Sequence, residues 1–373
     1  MSYDLYVELG GETQEDVEAI VKDDYRGIAI PDVFERVRLL AGIAARNEGV
    51  KDYAVSGDRR RGGGYKSLVH AVKPENTPYA QKLIRSALAR LQSLGLMPTV
   101  PDLHALPPGS WFLQFTFNLA KPWISKDDDP FYVAESVNPV RKDKVFKVPM
   151  IAASSWKGLL RWTVMHTRLV SKKDFLEPDK FAQERFVQTL LFGDEKGEEP
   201  RKNTDFAAYL DMLKPDARDE YKLLLRMYYD AKDNDPLPHH SGRLMFYPTF
   251  FDLIDVEVIN PHSRKTKAGT HPIYLECVPA GASGTFTLIY IPFDLFGKDK
   301  AAAREQALAD LQLVAKGLQA MFLTYGFSAK RTSGYGVAKD EIENLTIATR
   351  YQPYQEEKTT LSQLTQEVQH VAF

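Results

Sequence analysis

From Trp111 to Leu119 the sequence Trp-Phe-Leu-Gln-Phe-Thr-Phe-Asn-Leu largely alternates big apolar side chains with other residues. Side chains along a strand point to opposite faces with a period of two, so this run predicts a strand with one buried face. Such a strand commits the rest of the chain to supply sheet neighbours and a covering layer. The stretches that follow are suited to it. Residues 156–166, 181–191 and 217–229 read as helices, 242–251 and 255–259 as strands. Residues 272–279 and 285–291 read as a hairpin around Ala-Gly-Ala-Ser-Gly at 280–284, 300–324 as the longest helix and 341–348 as the last strand. The order β-α-β-β-β-α-β predicts an α+β fold with helices on one face of an antiparallel sheet.

The chain ahead of this pattern reads as mainly helical after a possible first strand. Val33, Val37, Leu40 and Ile43 are spaced for one face of a helix over 31–47, and Ala80, Leu83, Ile84, Ala87 and Leu91 do the same over 78–94. Between them, residues 56–66 carry Arg59, Arg60 and Arg61 followed by three glycines. Adjacent glycines lose too much backbone entropy to hold a helix or strand, so a loop is expected there. Residues 99–109, rich in proline, read as a linker. A chain of 373 residues suits two domains. The expected division is a helical region over 1–108 and a second domain over 109–373 with a helical insertion at about 165–240.

The formal net charge of −2 announces no nucleic acid, although the basic residues are clustered. Cys277 is the one cysteine and lies in an apolar run, so it reads as core in a protein of a reducing cytosol. No stretch approaches the ~18 apolar residues of a membrane span, and Met-Ser-Tyr-Asp-Leu-Tyr is acidic where a signal peptide is basic. A cytoplasmic location without membrane contact is expected. No Walker, Rossmann or nucleophile-elbow spacing is present.

Two segments carry chemistry. Residues 325–336 read Tyr-Gly-Phe-Ser-Ala-Lys-Arg-Thr-Ser-Gly-Tyr-Gly. Gly326, Gly334 and Gly336 let the main chain approach a phosphate, and successive N–H groups can form an anion-binding concavity. Lys330 and Arg331 add charge, Thr332 and Ser333 hydroxyl donors, and Tyr335 a ring that could stack on a base. An ordinary turn with solvated cations accounts for the same composition. In the second segment, 148–162, Lys157 and Arg161 are four apart and share a helix face. Ser154 or Ser155 is expected to cap that helix, where free amides and the dipole favour phosphate. Gly158 costs the helix about 1 kcal/mol relative to alanine, which a close backbone neighbour would rationalise. A capped amphipathic helix with two solvated cations is the plainer alternative.

Together these segments resemble the RAMP superfamily, the repeat-associated RNA-binding subunits of CRISPR effector complexes. Its members place a proline, a run ending in serines, then Lys-Gly and an arginine on the first helix. Here Pro149, Ser154, Ser155, Lys157, Gly158 and Arg161 match, and Ala329 to Gly336 matches the glycine-rich loop near the C-terminus. A third stretch, residues 242–246, 258–262, 271–275 and 278–286, resembles RAMP subunits at the capping end of type III filaments. The resemblance spans roughly residues 110–348. It implies a ferredoxin-like, RRM-related sheet and a subunit that holds guide RNA, and its duplex with target RNA, beside other RAMP subunits in antiviral defence. Phosphate contacts suffice for that, without reading sequence. Lys147 and the basic loop with Arg264, Lys265 and Lys267 join the RNA-contact candidates, as do Arg59 to Arg61, which could equally dock on an acidic neighbouring subunit or form a solvated loop.

Some RAMP backbone subunits cut target RNA with an aspartate in the loop after the first strand. The nearest counterpart here is Asn138, whose amide cannot act as a base. Asp128 and Asp129 are the candidate substitutes, although three adjacent aspartates fit a solvated turn. Cleavage of target RNA or processing of guide RNA is therefore the alternative activity. No cofactor is expected, and Mg2+ only if RNA is cut. His239 and His240 lack a suitably spaced metal-ligand partner. His262, among cations, fits a backbone contact better than acid–base work.

Overall fold

The computed structural model of the chain describes residues 13–56, 64–125, 137–194, 206–232, 235–260 and 273–373. Its N-terminal part holds the helices α1 (Gln14–Lys22), α2 (Val33–Arg46), α3 (Lys51–Ser56) and α4 (Gly64–Val69). Asp32 Oδ1 accepts from the Phe34 and Glu35 amides, which fixes where α2 begins. Helix α4 reaches back into the stretch expected to be a loop. Tyr65, Leu68 and Val69 bury one face of it, and that burial outweighs a glycine at its first residue. A π-helical turn, Tyr79–Ile84, leads into α5 (Arg85–Ser93).

Strand β1 (Trp111–Leu119) is followed by β2 (Val137–Asn138), β3 (Met150–Ile151) and α6 (Ala153–Arg168). Helices α7 (Pro178–Phe192), α8 (Phe206–Leu213) and α9 (Arg218–Tyr229) come next. Then come β4 (Leu244–Phe246), β5 (Thr249–Phe250), β6 (Asp255–Ile259), β7 (Ile273–Cys277) and β8 (Ser283–Tyr290). Helix α10 (Lys300–Ala320) precedes β9 (Ala338–Ala348), β10 (Tyr354–Thr360) and α11 (Leu364–Glu367). The main sheet is five-stranded and antiparallel, in the order β10-β9-β1-β8-β4. A smaller sheet runs β2-β7-β6, with β2 parallel to β7.

The alternation in β1 does what a one-sided strand requires. Trp111, Leu113, Phe115, Phe117 and Leu119 enter one apolar cluster with Trp156, Leu160 and Val164 of α6 and Leu311, Val314 and Leu318 of α10. A Cβ on Gly317 would stand 2.8 Å from Val164 Cγ2, so this glycine sets how closely the two helices approach. The cluster also takes in Val17, Val37, Leu40 and Ile43 of the N-terminal helices. His70 bonds Asp255 of β6, and Tyr79 Oη donates to the Lys147 carbonyl at 2.9 Å. On the opposite face of β1, Gln114 Nε2 donates to Thr287 Oγ1 at 2.9 Å, so that face stays polar in its middle. Helices α7 to α9 pack a second core around Met165, Leu169, Phe181, Leu210 and Leu225.

Several expected elements differ. The 272–279 and 285–291 hairpin does not form: β7 pairs β6, while β8 pairs β1 and β4. Val278 is held in a bridge to Trp123, and Pro279 has no N–H to donate, so the turn redirects the chain from one sheet to the other. The 242–251 run splits into β4 and β5, and β5 pairs β3 instead of joining the main sheet. Strand β9 is not the last; β10, exposed and charged as edge strands are, lies outside it. Neither serine caps α6. Pairing of β3 with β5 holds the chain extended to Ile151, so Ala152 at φ −71°, ψ 150° is the N-cap. Ser154 and Ser155 fall in the first turn.

Candidate nucleic-acid interface

Helix α6 is aimed by Trp156. Its ring stacks 5.4 Å from Phe322, and its Nε1 donates to Thr249 Oγ1 at 3.0 Å. That fixes Leu160 and Val164 in the core and leaves Ser154, Lys157, Gly158, Arg161 and Trp162 along a groove of about 1000 Å³. Residues 192–194 and 237–242 form the other wall. The two stretches of that wall cross main chain on main chain. A Cβ on Gly242 would stand 2.4 Å from the Gly193 amide nitrogen, so only glycine fits. Arg161 donates to the carbonyls of Gly193 at 3.3 Å and Asp194 at 3.2 Å, with its guanidinium 4.6 Å from the Phe206 ring centroid. Burial, and then the charge of Arg161, hold the Lys157 amine below its ordinary pKa. An anion placed between the two would offset that repulsion.

The glycine-rich loop is closed at its base by 122–124. The Gly336 amide donates to Pro122 O at 2.8 Å, Trp123 Nε1 to Phe327 O at 2.9 Å, and Ala329 N to Ile124 O at 2.9 Å. Gly336 has φ +67°, and a Cβ there would stand 2.4 Å from Ser328 Cβ. The expected concavity of successive amides does not form over 333–336. Ser333 N bonds Lys330 O, Gly334 N bonds Arg331 O, Tyr335 N bonds Lys330 O, and Gly336 N is taken as above. Anion contact therefore falls to side chains at the exposed tip: Lys330, Thr332 and Ser333, with Arg331 half-buried beside them. Tyr335 is not offered for stacking. It packs on Ile124, Leu275 and Cys277, and its hydroxyl donates to Glu257 Oε1 at 3.0 Å. Burial and that bond raise its pKa.

The loop and the helix are joined by a contact that the sequence reading missed. The Arg331 guanidinium lies 4.3 Å from the Trp162 ring centroid. Trp162 stacks on His166 at 5.0 Å, and Tyr325 meets both rings edge-on. The i, i+4 spacing of Trp162 and His166 was the available signal. Arg331 Nη1 is buried there without a hydrogen-bond partner among the described residues. Lys157, Arg161 and Arg331 thus belong to one surface.

Lys147 does not join them. It sits at φ +58°, with its amine 5.0 Å from the Phe34 ring of α2, and lines a different groove. Arg59, Arg60, Arg61, Asp128, Asp129, His262, Arg264, Lys265 and Lys267 lie outside the described residues. Asn138 is in β2 and donates through Nδ2 to Tyr274 O at 3.3 Å. Among the described residues, Gly158 has no neighbour within 4 Å of where a Cβ would stand, so no backbone approach among them explains it. His239 Nδ1 lies 3.2 Å from Asp194 Oδ2, which also accepts from the His240 amide at 2.8 Å. Among the described residues no group of three or more His, Cys, Asp or Glu could hold a metal ion. Nor is any helix there long and apolar enough to cross a membrane.

The sequence profile of the RAMP superfamily matches residues 132–339, more than half of the chain and both segments of this surface. The chain belongs to the RAMP superfamily. No curated protein matches it in sequence. Among solved structures, this RAMP chain is similar to one in the Type III-B Cmr-beta complex bound to cognate target RNA. The two are 12% identical, covering 91% of this chain and 99% of that one, with a TM-score of 0.43. A chain of the Csm3-Csm4 subcomplex of the type III-A CRISPR-Cas interference complex is 12% identical, with 72% and 99% covered and a TM-score of 0.32. A chain of a Type IV-B CRISPR complex is 14% identical, with 64% and 90% covered and a TM-score of 0.31.

Proposed function

We propose that this chain is an RNA-binding structural subunit of a type III CRISPR ribonucleoprotein effector complex. With other RAMP subunits it holds guide RNA, and the duplex of that guide with target RNA, in cytoplasmic antiviral defence. One observation carries the reading: Trp162 joins Arg331 of the glycine-rich loop to the helix face of Lys157 and Arg161, giving a cationic surface on a rigid base. Cations at fixed positions grip a phosphate backbone whatever its sequence. The strand order β9-β1-β8-β4, threaded β1-α6-β4-β8-α10-β9, fits a ferredoxin-like, RRM-related core. In this reading residues 109–373 form the RAMP domain, with α7 to α9 as its insertion, and 1–108 a helical extension.

Photocrosslinking of bound RNA to the purified full chain tests the proposal. Crosslinks are expected on residues 154–162 and 326–336. Crosslinks confined to residues 1–108 would refute it.

A second reading, cleavage of RNA, has one observation in its favour: the Asp194–His239 contact on the groove that holds Lys157. A carboxylate on Nδ1 leaves Nε2 as the acceptor, as a general base requires. Incubating RNA with the chain in the presence of a chelator decides it. Products ending in a 2′,3′-cyclic phosphate that vanish in His239→Ala support this reading, and intact RNA removes it. A cut that needs metal and is lost when Asp128→Ala and Asp129→Ala are combined would assign cleavage to the loop after β1 instead.

A further inference from the structure

A second groove, of about 760 Å³, lies where α2, the π-helical turn with α5, and residues 145–147 meet. It therefore joins the N-terminal helices to the part of the chain matched by the RAMP profile. Its floor is apolar, with Phe34, Leu83, Ala87 and Phe146, and Val145 stands at the rim 79% exposed. Lys82 and Arg90 are exposed and eight residues apart, about 12 Å along a helix at 1.5 Å per residue. The acids in the groove are occupied locally. Asp32 caps α2, and Glu35 pairs with Arg38 at 3.0 Å.

We infer that this groove docks an acidic segment of a protein partner. The segment has an apolar side chain for the floor and carboxylates about 12 Å apart for Lys82 and Arg90. Charge complementarity selects the acid, and the floor selects a peptide. An RNA strand would leave Leu83, Ala87 and Phe146 against phosphate. A peptide anchor instead buries that apolar surface, and the flanking charges fix its register. Val145 closes one side and adds apolar area that solvent does not reward. The inference is independent of whether RNA occupies the surface on α6.

The test places p-benzoylphenylalanine at Val145 in the full chain, expressed in its own host and purified with whatever assembles around it. After irradiation, the crosslinked peptide is sequenced. The expected product is one polypeptide segment with carboxylates on both sides of an apolar residue. Lys82→Glu combined with Arg90→Glu should lower the yield at least tenfold without changing RNA affinity. Reversing the segment's acids to lysine should restore the yield. Both substituted side chains are exposed, so the fold is kept, and an unchanged melting temperature checks this. A crosslink to RNA, a crosslink to a segment without acids, a yield blind to charge reversal, or no crosslink at all would each overturn the inference.

Discussion

Arg243 and Arg331 are held in opposite ways. Arg243 is 2% exposed and lies among carboxylates: Nη1 bonds Asp310 at 2.8 Å, and Nε bonds Asp294 at 3.1 Å. Tyr290 donates to Asp310 at 2.7 Å, and Gln306 donates to its other oxygen at 2.8 Å. The charge of Arg243 is answered within the fold. Arg331 lies on the face of Trp162 and meets no carboxylate among the described residues. A ring quadrupole orients a cation without cancelling it, so its charge is not neutralised by that contact. The first arginine ties β4 to α10, whereas the second is fixed in place and left for an anion from outside.

Removing Arg243 tests the first half of that contrast and should have the largest effect. Arg243→Met leaves Asp310, also 2% exposed, buried beside Asp294 without its cation. Losing one partner of a buried pair costs about 3–5 kcal/mol, whereas Arg331→Ala should cost under about 1 kcal/mol. Urea unfolding of the two variants measures both. Equal losses would erase the distinction between a structural and a functional arginine.

RNA affinity tests the other half. Lys330→Ala with Arg331→Ala should weaken binding roughly ten- to hundredfold for unrelated sequences alike. The slope of log affinity against log salt should become shallower by about 1–2. Arg243→Met, in whatever fraction stays folded, should leave that slope alone. A sequence-dependent loss would mean that bases, not phosphates, are being read.

Trp162 sharpens the comparison further, because it should act only through Arg331. Trp162→Leu removes a cation–π contact of about 1 kcal/mol, so RNA affinity should drop roughly fivefold, and Trp162→Phe should recover most of it. In a background that already carries Arg331→Ala, Trp162→Leu should do little more. Additive losses would show that the indole touches RNA itself.

Much of this was legible because periodicity is local. Alternation in β1 and the spacing of Val33, Val37, Leu40 and Ile43 each report a buried face within one element. Lys157, Arg161, Lys330 and Arg331 were readable as cations near glycines and a helix start. What joins them was not, because Trp162 and Arg331 are distant in sequence and meet only once α6 and α10 pack. The same limit explains the missing hairpin. Whether β8 pairs β7 or β1 depends on which strand reaches its edge, and Ile273 to Cys277 looks equally suited to either. Strand β10 was hidden for the opposite reason: its Gln-Glu-Glu-Lys stretch has no buried face to betray it.

The smallest effect expected belongs to Gly158, and it separates stability from binding most cleanly. Arginines such as Arg243 couple the two poorly, since unfolding masks any change in affinity. Gly158 lies inside α6, is exposed on the groove, and among the described residues has nothing within 4 Å of where a Cβ would stand. Alanine there should therefore stabilise the helix, by about 1 kcal/mol from the reduced freedom of the unfolded chain. Packing among the described residues offers no reason for the glycine. If its bare backbone is where a phosphate approaches between Lys157 and Arg161, Gly158→Ala should raise the melting temperature and lower RNA affinity a few-fold. Thermal unfolding and a binding titration on the same preparation read both. Higher stability with unchanged affinity would move the RNA away from this turn of α6 and leave Arg331 and Lys330 as the main grip.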